Sequence, residues 1–457
     1  MHLQKVSFTK IEIMFAKKVA HIILALIIGV SISGCATYHQ KAQETEKALF
    51  AGNYTKAEES IKKNKFLKRK RNELLYYLEL GKVQNLKGDF AASNKSLNKA
   101  DHMMEEFRSI FEMAVGVTVN PAMQSYKAEG HERILVHYYK ALNYLQLGDI
   151  EEAIVEARRI DLSQMVNENA VGGKLKKYGK DPFGLMLMGM IYEADKDYNN
   201  AFIAYTNAKK IYDTDETGLY RGQYPESLER DLVRTAANAG RQYKSDLEKE
   251  DLPFGEAIIF WENGMAPIKQ EKNLFFSLNE KNGNFFFTSD NIHVPVDYDF
   301  AKDDEDFDPS DIGMIRLATP YYVQRINNTQ SAYVMHNDER KNLHLIEDVS
   351  ALAFQIERDN YFKELGKNLL RITLKKLSEL AAGEQNEYVG AALNIANVAT
   401  EKADTRNWQS LPSQIHYVRI PLEEGMNNIT VNCSNGTSQT FEIRGGGGKV
   451  FRNVVTY

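Results

Sequence analysis

The stretch HERILVH, residues 131–137, carries two imidazoles with a glutamate between them, the residue types of a zinc hydrolase. Chelation from one helical face needs histidines four apart, whereas His131 and His137 are six apart, about 240° around a helix. Both are expected in the core or at the surface, without a metal. Other signatures of chemistry are missing: no GxSxG elbow, no CxxC pair and no Walker glycine-lysine loop. RGGGGKV places Lys449 after four glycines, but a strand-like run follows rather than the helix a phosphate cradle requires, so a flexible hairpin connection is expected. DYDFAKDDEDFDPSD, residues 297–311, has the carboxylates for calcium but lacks the glycine and the closing glutamate of an EF-hand; a solvated acidic loop is expected. No catalytic residue, metal or cofactor is assigned, and a non-enzymatic role is expected. Only carboxyl groups distant in sequence and about 5 to 9 Å apart in a cleft would reopen hydrolysis.

The remaining reactive side chain is Cys35, one of only two cysteines. Before it stand a basic pair, Lys17 and Lys18, and an apolar run of fourteen residues from Val19 to Ile32. This is the order of a secretory signal, and the run is shorter than the roughly 20 residues a membrane-spanning helix needs. Ile32-Ser33-Gly34-Cys35 resembles the bacterial lipobox, in which small residues admit the peptidase, cleavage falls between Gly34 and Cys35, and the cysteine thiol carries the lipid. Met14 then gives a signal of ordinary length as the expected true start. Ala36 follows the lipidated residue, which favours an outer-membrane anchor facing the periplasm. Acyl chains hold such a protein at about 0.8 kcal/mol per buried methylene. With Cys35 acylated, Cys433 has no partner, and no disulfide is expected.

Composition fits a folded body on that anchor. Apolar residues make up 43%, charged residues 26%, and the net charge is -5, which excludes a bulk affinity for nucleic acid. KKNKFLKRKR, residues 62–71, concentrates seven cations near the anchored end. It reads either as a solvated turn or as a contact for an anionic lipid surface.

Elements that could position a site begin with repeats. AGNYTKA, KGDFAAS, LGDIEEA and DKDYNNA each join a turn signal to an aromatic or branched residue and then a small one, as at the turn and second helix of a tetratricopeptide repeat. The fullest copy, 182–213, has Gly189 and Ala201 for close helix approach, Tyr192 and Tyr198 between the helices, and Tyr205 and Ala208 toward the next repeat. The copy at Gly148 keeps Ala141, Tyr144 and Ala153; that at Gly88 keeps Gly81, Phe90 and Ala100; that at Gly52 keeps Tyr54 and Ala57. Uneven spacing puts insertions at 107–123, an extra core helix or a docking segment, and at 171–184, a basic loop. Stacked repeats are expected to leave a concave face open for a partner.

After about residue 250 the pattern turns to strands, as in EAIIFWENGMAPIKQ, with helical periodicity again at 346–380 and 388–402 and strands to the end. The expected fold class is a multidomain α+β protein: signal 1–34, a tetratricopeptide-like α-solenoid 35–250, and a β-rich α+β module 251–457 whose last strands pair with those near Ile258.

HERILVHYYKALNYLQLGD, EEAIVEARRID, DPFGLMLMGMIYEADKDYNNAFIAY, FWENGMAPIKQ and EKADTRNWQSLPSQIHYVRIPL together resemble a family of bacterial lipoproteins that join a helical-repeat half to an α+β half. The resemblance runs over essentially the whole mature chain. Its genes often lie beside those of lipoprotein activators of penicillin-binding proteins, which implies cell-wall work; no catalytic residue is established for the family. The resemblance makes the expected function that of a protein-interaction scaffold whose partner is an envelope protein of the peptidoglycan-synthesis machinery, or else a binder of glycan or peptide wall fragments. Trp261, Arg406 and Trp408 lie in the last two strings and are candidate interface residues, with core packing as the alternative.

Overall fold

The structure is a computed structural model that describes residues 37–113, 121–169, 181–215, 217–220, 222–290, 292–296, 298, 308–383 and 402–457. Cys35, the acidic run at 299–307 and the helical periodicity at 388–401 lie outside the described residues, as do 114–120 and 170–180 of the two insertions.

Four helical hairpins come first: α1 (Tyr38–Phe50) with α2 (Tyr54–Lys63), α3 (Glu73–Leu86) with α4 (Phe90–Met113), α5 (Gly130–Leu147) with α6 (Ile150–Asn169), and α7 (Pro182–Ala194) with α8 (Tyr198–Asp213). Each packs on the next, and α9 (Leu228–Asn238) closes the series against α8. The turn signal has a plain physical content. One residue takes the left-handed conformation that ends a helix: Gly52, Gly88, Gly148 and, in the last hairpin, Lys196 at φ 64°. A short polar side chain then caps the next helix, Asn53, Asp89, Asp149 and Asp197 accepting from the N–H of Lys56, Ala92, Glu152 and Asn200.

Small residues set the helix spacing. A Cβ on Gly81 would lie 2.6 Å from the Leu97 side chain, and one on Gly189 2.3 Å from the Tyr205 ring. Ala141, Ala153, Ala201, Ala208, Tyr192 and Tyr205 are buried, while Tyr144 and Tyr198 are half-buried. Gly148 does not pack between helices: it is exposed, with nothing within 4 Å of where a Cβ would stand, and its requirement is the positive φ of a cap. The helical half ends at Asn238, and 241–255 runs on without helix or strand, so the helix expected through 250 stops earlier.

The remaining elements are β1 (Glu256–Asn263), β2 (Ile268–Lys281), β3 (Asn284–Ser289), β4 (Ile292–Pro295), α10 (Pro309–Ile312), β5 (Met314–Val323), β6 (Ala332–His336), β7 (Glu339–Asn342), β8 (His344–Glu347), α11 (Val349–Gly383), β9 (Gln414–Pro421), β10 (Gly425–Cys433), β11 (Ser438–Gly445) and β12 (Lys449–Thr456). They form three four-stranded sheets, β12-β1-β9-β8, β11-β10-β6-β7 and β4-β3-β2-β5. In the first, β1 pairs parallel to β12 and antiparallel to β9, Ile258 opposite Phe451 and Arg419. The architecture is α+β.

AIIFW reads as an unbroken apolar run because β1 is covered on both faces. Ile258 and Phe260 join the core of the hairpins, while Ala257, Ile259 and Trp261 pack on the second sheet. The third sheet carries its own core under α11, through Leu365, Leu369 and Ile372. The chain therefore changes character near residue 250, but its largest core does not. The face expected to stand open for a partner is occupied by the chain itself: Lys82 of α3 and Tyr138 and Tyr139 of α5 turn toward the first sheet, and Phe183 of α7 packs on Tyr138. No helix among the described residues is long and apolar enough to cross a membrane.

Candidate functional site: a charged pocket between helices and sheet

α7 begins at Asp181, which accepts the N–H of Phe183 at 2.8 Å ahead of Pro182 in the first turn. Its last turn delivers Glu193 toward the sheet. Because Gly189 lets α8 come close, the Tyr205 hydroxyl donates to Glu193 Oε2 at 2.9 Å. α9 supplies Asp231 and Arg234, and the first sheet supplies Glu256, Arg419 and Lys449 from β1, β9 and β12. Arg419 is the hub: its guanidinium reaches Glu193 at 2.7 Å, Asp231 at 2.7 Å and Glu256 at 2.6 Å. Arg234 donates through Nε to Glu193 at 2.8 Å and through Nη2 to Asp231 at 2.6 Å. Lys449 pairs with Glu256 and lies 3.3 Å from Glu193.

Three carboxylates thus face three cations in a buried cluster. Burial alone would raise the carboxyl of Glu193, but Arg419, Arg234 and Lys449 outweigh it and hold that carboxyl well below the usual range. In the same way burial is overcome at Glu256, chiefly by Arg419, and its carboxyl falls to about 2. Glu193, Arg234 and Lys449 of this cluster line a cavity of about 450 Å³, walled also by the α7–α8 turn, Asn238, the linker at 249–255 and the glycine loop at 447–448. Gly255 is required here, since a Cβ on it would meet the Gly448 carbonyl oxygen at 2.0 Å. RGGGGKV is therefore a wall of this pocket and not the hairpin connection expected: β11 pairs with β10 and β12 with β1, so the glycines carry the chain from the second sheet to the first.

Three further buried clusters tie the layers together. Lys82 and Glu262 pair with neither side chain exposed, and Tyr139 and Asn453 donate to the same carboxylate at 2.9 and 2.8 Å. Asp101, His137 and Glu156 bring a metal-type donor set within 4.8 Å. Lys140 already lies 2.9 Å from Asp101 and 2.7 Å from Glu156, and Arg159 2.6 Å from Asp101, so the protein supplies the positive charge a cation would bring. His131 is buried beside Glu129, apart from that trio. Asp181 and Glu347 hydrogen-bond to each other, which requires a proton between them; burial pushes Asp181 up to about 6 and Glu347 well above the carboxylate range. Both are buried and neither lines the pocket described above.

Trp261, Arg406 and Trp408 are not surface residues. Trp408 is 0% and Trp261 2% exposed. Residues 403–413 form a strap threaded between helices and sheets, its N–H groups taken by helix carboxylates: Trp408 N–H donates to Glu132 at 2.7 Å and Gln409 N–H to Glu79 at 2.9 Å. Arg406 donates to Asp404 at 2.7 Å and to Asn72 at 2.8 Å. An intramolecular interface takes the place of the exposed contact, because the polar groups buried there need internal hydrogen-bond partners.

Sequence reasoning did not single out Glu193, Asp231, Arg234, Glu256 or Arg419, and it read Lys449 only as the end of a loop. One signal was present: a charged residue inside an apolar run, as in LMLMGMIYEA and HYVRIP, marks a buried partner on another element.

No family model matches the chain, and no curated protein matches it. Among solved structures it is similar to the TPR2AB-domain:pHSP90 complex of yeast Sti1, at 17% identity over 44% of this chain and 70% of that one, with a TM-score of 0.21. A score so low carries no argument, and the fold rests on the geometry above.

Proposed function

We propose that this chain is a lipid-anchored protein of the bacterial envelope, facing the periplasm from the outer membrane, that acts as a non-catalytic scaffold for an envelope protein of the peptidoglycan-synthesis machinery. The sequence support is the signal, the lipobox-like Ile32–Cys35 and the family resemblance. The observation that carries the anchor is at the start of α1. Thr37 caps that helix, and Tyr38 stacks on Phe66 at 5.7 Å, with the Lys41 ammonium 4.4 Å over the same ring. Phe66 belongs to the basic turn, where Lys65, Lys68, Arg69 and Lys70 are exposed. Cys35 is two residues before Thr37, a reach of about 7 Å at most. An acyl group there would leave the body beside four cations, each contributing about 1 kcal/mol at an anionic surface.

For the scaffold, the first helices of the hairpins face the sheet, so partner contact is assigned to the opposite helices, where Val155 of α6 and Ile203 of α8 are exposed. Detergent-phase partitioning and intact mass of Cys35→Ser test the anchor. The variant is expected in the aqueous phase without acyl mass; unchanged partitioning would remove the compartment and the partners with it. Photo-crosslinkers at positions 155 and 203 in cells are expected to give adducts with a peptidoglycan-synthesis protein, and adducts lacking any such protein would refute the scaffold.

A further inference from the structure

The pocket contains a cation with unused hydrogen-bonding capacity. Arg234 spends Nε and Nη2 on Glu193 and Asp231, and its side chain is only 5% exposed. Nη1 is different: among the described residues its nearest partner is Glu250 Oε2 at 3.7 Å, beyond hydrogen-bond distance. Arg234 lines the cavity, as does Glu250, which sits in the irregular linker with its side chain 36% exposed. Asp251 follows at 83% exposed, paired with Lys249 at 3.3 Å.

A guanidinium clamped by two buried carboxylates and open at one nitrogen is pre-organised, because no side-chain entropy is lost when that nitrogen takes a ligand. The buried charges already balance, three against three, so an incoming anion meets no excess of negative charge in the cluster. Of the lysines lining the cavity, Lys196 stands outside that balance and adds positive potential, Lys249 being paired with Asp251, and the glycine wall leaves the cavity unfilled. Its volume of about 450 Å³ suits an amino acid or a dipeptide.

We propose that this pocket binds α-amino carboxylates, either free amino acids or short peptides. The ligand carboxylate takes Arg234 Nη1, and Glu250 is the internal occupant it displaces. Asp251, exposed at the rim beside Glu250, provides the negative charge that receives the ligand ammonium. The inference stands apart from the anchor and scaffold readings, since it uses only the pocket, and its failure would leave them untouched.

The test is a titration of the full folded chain, followed by amide NMR at Gly446–Gly448 and by the Arg234 side-chain Nε resonance. Four probes are used: alanine, alanylalanine, alanylalanine amide and N-acetyl-alanylalanine. Alanine or alanylalanine is expected to shift these signals at millimolar concentration, the amide to be silent, and the acetylated peptide to bind more weakly than its parent. Whichever of alanine and alanylalanine binds more tightly identifies the natural size class. Because Arg234→Lys also disturbs the buried cluster, the decisive variant is Glu250→Gln on the exposed linker. Removing the internal competitor is expected to tighten carboxylate binding about two- to five-fold, the scale of an exposed ion contact. An amide that binds as well as the acid, a Glu250→Gln variant with unchanged or weaker binding, or silence from all four probes would overturn the proposal.

Discussion

Lys82 and Glu262 meet in the interior with no exposure of either side chain, joining α3 of the second hairpin to the central strand of the first sheet across 180 residues of sequence. Tyr138 and Tyr139 close around the same carboxylate, with the Lys82 ammonium 4.2 Å over the Tyr139 ring. The contact makes helices and sheet one cooperative body, and burial lowers the ammonium's proton affinity against the pull of Glu262.

Breaking that pair from one side is the first prediction. Lys82→Met or Glu262→Gln alone leaves an uncompensated buried group, and each is expected to cost about 3–5 kcal/mol in urea unfolding. The double variant Lys82→Met/Glu262→Gln should recover much of that loss, since neither position is then charged and the amide oxygen still accepts from Tyr139 and Asn453. A double variant as unstable as the sum of the singles would refute the pairwise account.

Helix spacing supplies the second. Gly189→Ala drives a methyl to within 2.3 Å of the Tyr205 ring and is expected to destabilise by about 1–3 kcal/mol through overpacking. Gly148→Ala meets no atom and should cost only the strain of its φ of 78°, about 1 kcal/mol. Thermal unfolding of the two variants distinguishes a packing glycine from a capping one; equal losses would contradict the distinction.

The third concerns pH, with two groups of opposite sign. Glu193 and Glu256 are held below their ordinary value of 4.5, so their contribution is present above that pH and is lost as pH falls toward their folded values, about 2 for Glu256. Asp181 and Glu347 are raised, so their contribution is complete at acid pH and is lost as pH rises through their folded values, about 6 for Asp181. Glu347→Gln keeps a hydrogen-bond donor toward Asp181 without needing a proton. It is expected to raise the Tm at neutral pH and to flatten the fall in Tm that the wild type shows as pH rises from about 4 through about 6. A variant whose Tm falls over that range as steeply as the wild type's would rule out the shared proton.

Tryptophan fluorescence gives the fourth. The chain has two tryptophans and both are buried, so native emission should be blue-shifted and poorly quenched by acrylamide, becoming accessible only on unfolding. Arg406→Ala removes donors to Asp404 and Asn72 and is expected to destabilise by about 2–3 kcal/mol and to increase quenching of Trp408. Native quenching as high as in urea would show the strap to be open.

Much of the helical half was legible because its signals are local. A left-handed residue, a short polar cap and a small residue one turn later act within seven positions, so the preference for the turn is written in neighbouring residues. The boundary near residue 250 was legible for the same reason, as a change of period. The strap was not, because residues 403–413 have neither helical nor strand period; their order comes from Glu79, Glu132 and Asn72, which are more than 270 residues away.

By itself, then, the amino-acid order determined the hairpins, the strand-rich second half and the residues from which lipid attachment is inferred, since each rests on neighbours along the chain. Tertiary structure alone decided which face of the hairpins is closed, that both tryptophans are interior, and that Arg234 Nη1 stands 3.7 Å from Glu250 at the pocket. Those outcomes depend on where separate elements meet, and the desolvation that pairs or leaves open a buried charge acts through space, between side chains whose separation in sequence carries no record of their contact.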